Sequence, residues 1–337
     1  MGQNNTEFAE KYITELEEVP CNACGGWDCE VIAERERFGL PLHTVICHNC
    51  GLIFINPRPS RNMYAEFYKS DYRKAVSGSD EGDELQFQKE VEIAKTVILP
   101  VFKKLIPTWT PKTIMELGSS YGGILDTHLK AFPGSVGFGI EPLLKIGEFA
   151  RQRTGATIYT GMVEDFKPVS KYDLVILSRT LNHTLDPHAN LDKVREMLSE
   201  DGIFALTLQD PVSHLVHLPL ETVSEMTHPY MFTRESVQHL LALSGLELVG
   251  YQDEYIDARS MTRGDFRKLQ FAYMVFLSKP ARAGKQTVSR PDYQDILGRI
   301  RANQEAFKKD GKFIESWRKP TFFMRAYRKV LNLLGLW

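Results

Sequence analysis

Residues 114–123 read I-M-E-L-G-S-S-Y-G-G, an apolar run broken by one acid, Glu116, and closed by a glycine-rich turn. Gly118, Ser120, Gly122 and Gly123 let a strand turn sharply into a helix and bring bare backbone against a ligand that larger side chains would hold away. A glycine-rich turn alone is weak evidence, and the segments behind it are more telling. Gly137-Phe138-Gly139-Ile140-Glu141 ends the next strand with an acid 25 residues beyond Glu116, where a carboxylate can accept hydrogen bonds from both hydroxyls of a ribose. Residues 161–166, G-M-V-E-D-F, follow a third strand and offer Met162 as an apolar wall and Glu164 as an acid for an adenine ring. A fourth strand over 171–177 ends beside Ser178, which joins the cofactor-binding set, and residues 198–204 turn into a fifth.

Short apolar stretches at 113–117, 136–140, 157–159, 173–177, 203–208, 246–251 and 271–277 alternate with helical periodicity. That rhythm predicts an α/β fold, a Rossmann-like sheet of seven strands covered by helices. A nicotinamide-binding domain also uses a glycine-rich turn and a ribose acid. Here the turn lacks the G-x-G-x-x-G spacing, and a dinucleotide enzyme needs no separate adenine acid after the third strand.

Ahead of the sheet, Cys21, Cys24, Cys47 and Cys50 form two C-x2-C pairs with 22 residues between them. Two thiolates separated by two residues can both reach one tetrahedral ion, and a second pair closes a four-cysteine site with no open position, so the pattern predicts structural zinc. Alternating segments at 42–46 and 52–55 suit the short strands of a zinc ribbon. Cys29 is the odd thiol, while His43 and His48 are substitute ligands that the site does not need. All cysteines precede residue 51, so disulfides contribute nothing to most of the chain, which fits a reducing cytosol. The first residues lack the apolar run of a signal peptide, and no stretch approaches the roughly 18 uninterrupted apolar residues of a membrane span. Met1, Gly2 and Thr6 match the short myristoylation pattern, which three loosely specified positions meet readily by chance. The 337 residues, 43% hydrophobic, can bury a large core, and a net charge of -2 argues against broad nucleic-acid binding.

The expected organisation is a zinc-ribbon head (1–60), a helical connector or cap (61–107), the sheet domain (108–280) and a basic helical C-terminal extension (281–337). In the connector, helical spacing at 62–68 and 84–106 flanks a Gly/Ser/Asp-rich loop at 76–83. The extension begins with a charged helix over 292–309. From Lys308 to Trp337, Lys308, Lys309, Lys312, Arg318, Lys319, Arg325, Arg328 and Lys329 outnumber Asp310 and Glu315. A helix from Thr321 would line Phe323, Tyr327, Val330, Leu334 and Trp337 along one face. Such a helix can lie on an anionic bilayer, or its stripe can pack on a homodimer partner or on the protein's own surface.

The chain resembles the class I S-adenosylmethionine-dependent methyltransferases, whose acid-x-Gly-x-Gly-x-Gly signature is matched by Glu116, Gly118 and Gly122 with Ser120 in the middle glycine's slot. The head, C-N-A-C-G-G, then V-I-C-H-N-C-G-L-I-F-I-N-P-R-P and F-Y-K-S-D-Y, is similar to bacterial methyltransferases with an N-terminal zinc ribbon, many of which act on nucleotide-linked sugars or surface polysaccharides. The resemblance covers roughly residues 20–280. It implies S-adenosylmethionine as methyl donor, structural zinc, and a small or lipid-linked sugar or glycan acceptor, handled in the cytoplasm or at the inner face of the membrane. Two other readings are an RNA or protein methyltransferase that uses the ribbon for recognition, and a noncatalytic module of the same fold that recruits a partner through the basic end. Few Lys and Arg residues in the ribbon disfavour nucleic acid.

Methyl transfer from a sulfonium is an in-line displacement in which alignment contributes most, while a proton must leave the acceptor. Histidine suits that task best. His183, in R-T-L-N-H just past the fourth strand, fills a slot that is often histidine in the resembling families; it could instead pack on the cofactor or cap the helix near Asp186-Pro187. In residues 225–233, E-M-T-H-P-Y-M-F-T, His228 matches the histidine of an E-H-x-x-Y-F-like segment of sugar C-methyltransferases, but Thr227 stands where the acid would be. That departure places O-methylation slightly ahead of C-methylation. His214 and His217, on the same loop, are expected as local or substrate contacts. Tyr68 and Tyr72, in F-Y-K-S-D-Y, match tyrosines near the donor in the resembling enzymes, Tyr68 as a donor contact and Tyr72 as a catalytic candidate; packing between head and main domain is the other reading.

Overall fold

The computed structural model describes residues 10–37, 39–71, 84–215, 218–257, 270–282, 284 and 289–309. The head holds strands β1 (Leu16–Glu17), β2 (Cys29–Ala33), β3 (Thr44–Cys47), β4 (Ile53–Ile55) and β5 (Arg58–Pro59). Apart from Cys47, β3 and β4 are built from β-branched and aromatic residues, and all are buried, which suits a packed pleated surface. Helix α1 (Arg61–Ser70) starts at Ser60, whose Oγ accepts the Met63 N–H at 3.4 Å. Helix α2 (Glu84–Ile93) passes through a π-helical stretch, Ala94–Ile98, into α3 (Leu99–Leu105). Pro100, which has no N–H to donate, follows that stretch. The inward face of this long element, Ile93, Ala94, Val97, Ile98, Val101 and Phe102, shares a core with Ile114, Leu174, Ile176 and Val275.

The main sheet contains β6 (Thr113–Leu117), β7 (Val136–Glu141), β8 (Thr157–Thr160), β9 (Tyr172–Ser178), β10 (Leu198–Gln209), β12 (Leu246–Asp257) and β13 (Gln270–Pro280) in the spatial order β12-β13-β10-β9-β6-β7-β8. β6 to β10 run parallel, while β13 is antiparallel to both of its neighbours. Each of the seven apolar stretches is a strand of this sheet. The order reverses at β6, which lies between β7 and β9, and such a switch point leaves a crevice beyond the carboxyl ends of the strands. Helices α4 (Gly123–Ala131), α5 (Leu144–Thr154), α6 (Pro187–Met197) and α7 (Arg234–Leu243) cover the faces.

A remaining strand, β11 (Tyr230–Met231), lies far along the chain yet completes the ribbon's own sheet. Its order is β11-β4-β3-β2, with Tyr230 opposite Phe54 and Met231 opposite Ile53. Cys47, Leu52 and Phe54 of the head therefore share one buried cluster with Met115, Leu177 and Leu206 of the main sheet. Helix α8 (Tyr293–Lys309) packs Ile296, Leu297 and Ile300 against Ile46 and Ile53 of the ribbon. Tyr72, His217, the loop 76–83 and the basic end from residue 310 lie outside the described residues. Among the described residues, no helix is long and apolar enough to cross a membrane.

Candidate active site and metal centre

A cavity opens where β6, β7 and β9 end. Its lining includes Glu116, Gly118, Ser120, Glu141, Met162, Glu164 and Ser178, together with Tyr68, Arg179, Thr180 and His183. Gly118 adopts φ +74°, and a Cβ there would stand 2.6 Å from Thr180 Oγ1, so both the turn and its neighbour exclude a side chain. Ser120 holds the left-handed conformation too, φ +46°, at a cost of about 1 kcal/mol. Its N–H donates to Glu141 Oε2 at 3.1 Å, and the Leu143 N–H donates to Oε1 at 3.0 Å. These bonds fix the Glu141 carboxylate at the cavity wall. Gly122, at φ +84°, forms the N-cap of α4 and supports the turn from behind, where a Cβ would meet Thr154 Cγ2 at 2.9 Å.

Glu116 is buried with Oε2 lacking a hydrogen-bond partner. Burial, reinforced by the charges of Glu90 and Glu141, pushes its carboxyl well above the usual carboxylate range. A cation brought there would find an acceptor already in place. Glu90, on α2, accepts the Gly123 N–H at 2.9 Å and the Tyr121 N–H at 3.4 Å, so one buried carboxylate from the connector caps α4 and closes the glycine-rich turn.

A chain of titratable groups starts at the same cavity. Tyr68 Oη stands 3.0 Å from His183 Nδ1, His183 Nε2 stands 3.1 Å from His228 Nε2, and His228 Nδ1 stands 2.8 Å from Glu225 Oε1. Thr227 contributes its carbonyl, 2.9 Å from His183 Nδ1 and 3.2 Å from Tyr68 Oη, and its hydroxyl donates to Glu225 Oε1 at 2.6 Å. Arg37 of the ribbon pairs with the other carboxylate oxygen of Glu225. Burial opposes the charged form of Glu225, yet Arg37, His228 and Thr227 hold its carboxyl well below the usual range. Burial first, then His228 and Arg179, hold His183 well below the ordinary imidazole range, so it is neutral at pH 7. The expectation that Thr227 replaces an acid beside His228 is corrected here. The acid is Glu225, returned to His228 by a tight turn in which the His228 N–H donates to the Glu225 carbonyl at 2.9 Å.

The four cysteines of the head converge. Their Sγ atoms all lie within 4.8 Å of one another, with Cys21 to Cys50 at 3.4 Å and Cys24 to Cys47 at 3.5 Å. Zn–S bonds of about 2.3 Å in a tetrahedron separate sulfurs by about 3.8 Å, so the donor set fits. Cys29 sits opposite Cys47 across β2 and β3, outside the set. His48 Nδ1 is engaged by Asp28 at 3.0 Å, and neither His48 nor His43 joins the group.

Residues 91–251 match the family model described as a methyltransferase domain. That match spans just under half of the chain and gives this stretch as a methyltransferase domain. Among solved structures, the plantazolicin methyltransferase BpumL, in complex with a monoazolic desmethylPZN analog and SAH, is similar over 65% of this chain and 94% of that one, at 14% identity and a TM-score of 0.47. An S-adenosylmethionine-dependent methyltransferase from Clostridium acetobutylicum is similar over 65% of this chain and 99% of that one, at 11% identity and a TM-score of 0.43. No curated protein matches the chain.

The structure brings together at one cavity Tyr68, Glu116, Gly118, Ser120, Glu141, Met162, Glu164, Ser178 and His183, with His228 in contact behind His183. His214 is buried in the short helix Pro211–His214 and does not line the cavity. Sequence reasoning missed Glu90, Glu225, Arg37 and Arg179. Glu90 had a signal, being an acid in register with Phe87, Ile93 and Val97 on the apolar face of α2, where a lone charge asks for a partner.

Proposed function

We propose that this chain transfers the methyl group of S-adenosylmethionine to a hydroxyl of a sugar or glycan intermediate, with zinc held by Cys21, Cys24, Cys47 and Cys50 as a structural ion of the head. The observation that carries this reading is one cavity lined both by Glu141, Glu116 and Met162 and by Tyr68 and His183. A donor seated against Glu141 would share the cavity with Tyr68 and His183. The hydrogens there have two arrangements: the Thr227 carbonyl can only accept, so with a hydrogen on His183 Nδ1 the hydrogen between the rings belongs to His228 Nε2, and with Nδ1 bare to accept from Tyr68 it belongs to His183 Nε2, the His228 Nδ1–H meeting the Glu225 carboxylate in both. A proton leaving the acceptor can enter at Tyr68 or His183 and come to rest on His228, where Glu225 stabilises the imidazolium. The bound donor supplies the electrophilic methyl; the chain's own groups align the acceptor, exclude water and carry off the proton.

The Glu225–His228 pair favours a second reading, C-methylation, in which the same relay removes a proton from a carbon made acidic by a neighbouring carbonyl. Donor carrying a 13C-labelled methyl, incubated with nucleotide-linked and lipid-linked sugars, separates the two by the carbon shift of the product, methoxy or C-methyl. Label appearing only in RNA or protein, with none in any sugar, contradicts both.

A further inference from the structure

The ribbon does more than cap one end of the molecule. Its turn between β2 and β3 grips the segment that carries His228. The Arg37 N–H donates to the Ser224 carbonyl at 2.8 Å, and Thr44 Oγ1 and Ser224 Oγ share a hydrogen bond of 2.6 Å. The carboxylate of Glu36, 1% exposed, accepts the Met226 N–H at 2.9 Å and the Leu40 N–H at 3.3 Å. Between these two ties the Arg37 guanidinium pairs with Glu225. The ribbon also reaches the segment after His183: Asn22 Oδ1 accepts the His188 N–H at 2.8 Å, and Arg58 donates to the Leu185 carbonyl at 2.8 Å.

We propose that the Glu36–Arg37 turn of the ribbon is a positioning element of the proton relay, with Glu36 fixing the backbone of residues 225–227 and Arg37 aiming the Glu225 carboxylate so that His228 carries its proton on Nδ1 and presents Nε2 to His183. The turn is closed by backbone bonds between Glu36 and Leu40 and between Gly39 and Glu36, and by the Glu36 carboxylate. Arg37 instead meets a carboxylate whose other oxygen holds a histidine. Removing one member of a buried pair leaves the other uncompensated, and here that charge would fall on the relay. The assignment rests on the methyl-transfer reading only for what the relay serves; the placement of His228's proton can be read without any acceptor.

The charged and titratable groups facing His228 are Glu225 and, behind it, Arg37, with His183 on the other side and Arg179 and Tyr68 beyond that ring. The test is 1H–15N spectroscopy of the full, metal-loaded chain with 15N-labelled histidine, the His228 signals being assigned by loss in His228→Gln. In the parent protein above its titration, His228 shows the Nδ1–H tautomer. Arg37→Gln removes a cation and moves the His228 midpoint up by about one pH unit, whereas Glu225→Gln removes an anion and moves it down by a similar amount. Arg37→Lys restores most of the parent midpoint. Metal content and S-adenosylmethionine affinity stay within about threefold in all three variants. Midpoint and tautomer unchanged in folded Arg37→Gln, or shifts of the same sign in both charge variants, overturn the proposal. Should Arg37→Gln not fold, Glu225→Gln and Arg37→Lys decide it alone, since an unmoved midpoint in the first or a moved one in the second contradicts the assignment. Absence of donor binding in the parent, with the His228 shifts intact, would count against methyl transfer and leave the positioning role standing.

Discussion

The Nε2 atoms of His183 and His228 stand 3.1 Å apart, so these two imidazoles, 45 residues apart in sequence, share one hydrogen. One ring must donate and the other accept, which couples their protonation and makes them a unit rather than two rival bases. Replacing either by alanine should cut methyl transfer roughly a hundredfold to ten-thousandfold with donor affinity nearly unchanged. Because they act in series, the double variant should be little worse than the poorer single one. Additive losses, or less than a tenfold loss in both singles, would show that the proton leaves by another route.

Loss of the metal should reach the relay through the ribbon sheet. Cys47→Ser removes one of four sulfur ligands at the end of β3, and β3 pairs with β4, which pairs with β11 two residues beyond His228. Elemental analysis of the parent should give one thiophilic ion per chain, and the variant should lose it and unfold more readily. Donor affinity should change less than transfer rate, since Glu141 and Gly118 lie on the main sheet. A pure, folded parent without zinc, iron or another such ion would remove the metal from the account.

His128 predicts a pH dependence of stability. It is fully buried against Phe102 and Phe132, donates from Nδ1 to the Ile124 carbonyl at 2.8 Å, and burial lowers its pKa to about 4. The unfolded chain binds a proton there near pH 6.5 and the folded chain does not, so stability is complete above that pH and declines as pH falls toward 4. His128→Phe should remove about 3 kcal/mol of the acid-side loss between pH 7 and pH 4, read from urea unfolding at both. Equal losses in parent and variant would contradict it. His183, also held well below its ordinary value, adds to the loss with the same sign.

Gly118→Ala should destabilise the domain even without donor. The methyl would sit 2.6 Å from Thr180 Oγ1 at a backbone φ of +74°. Thermal unfolding of the donor-free variant should show the loss, and Thr180→Ala should recover the steric share of it, leaving the conformational cost of about 1 kcal/mol. A donor-free melting temperature equal to that of the parent would show that this glycine serves only ligand approach.

The main sheet was legible because its strands hold apolar runs, several closed by glycine or an acid as at Gly118, Glu141, Gly161 and Asp210, and period and punctuation survive without tertiary context. Glu116, Gly118 and Glu141 were legible for the same reason, since they sit where strands end. The relay was not. Glu225 stands three residues before His228 and becomes its partner only because a tight turn folds back, and that turn is held by Glu36 and Arg37, some 190 residues earlier. Spacing rules read local geometry, so a contact made by joining a distant strand, β11, to the ribbon leaves no periodic mark. Thr227, read as an acid's replacement, instead supplies a hydroxyl to that acid.

The central claim is that the cavity at the ends of β6 and β7 holds S-adenosylmethionine, and calorimetric titration of the donor into the parent and into Glu141→Ala tests it most directly. The account predicts one site per chain at micromolar affinity in the parent and at least a hundredfold weaker binding in the variant, from the loss of two ribose bonds of about 1.5 kcal/mol each. No heat of binding in the parent, or the same affinity in a folded Glu141→Ala protein, would contradict it.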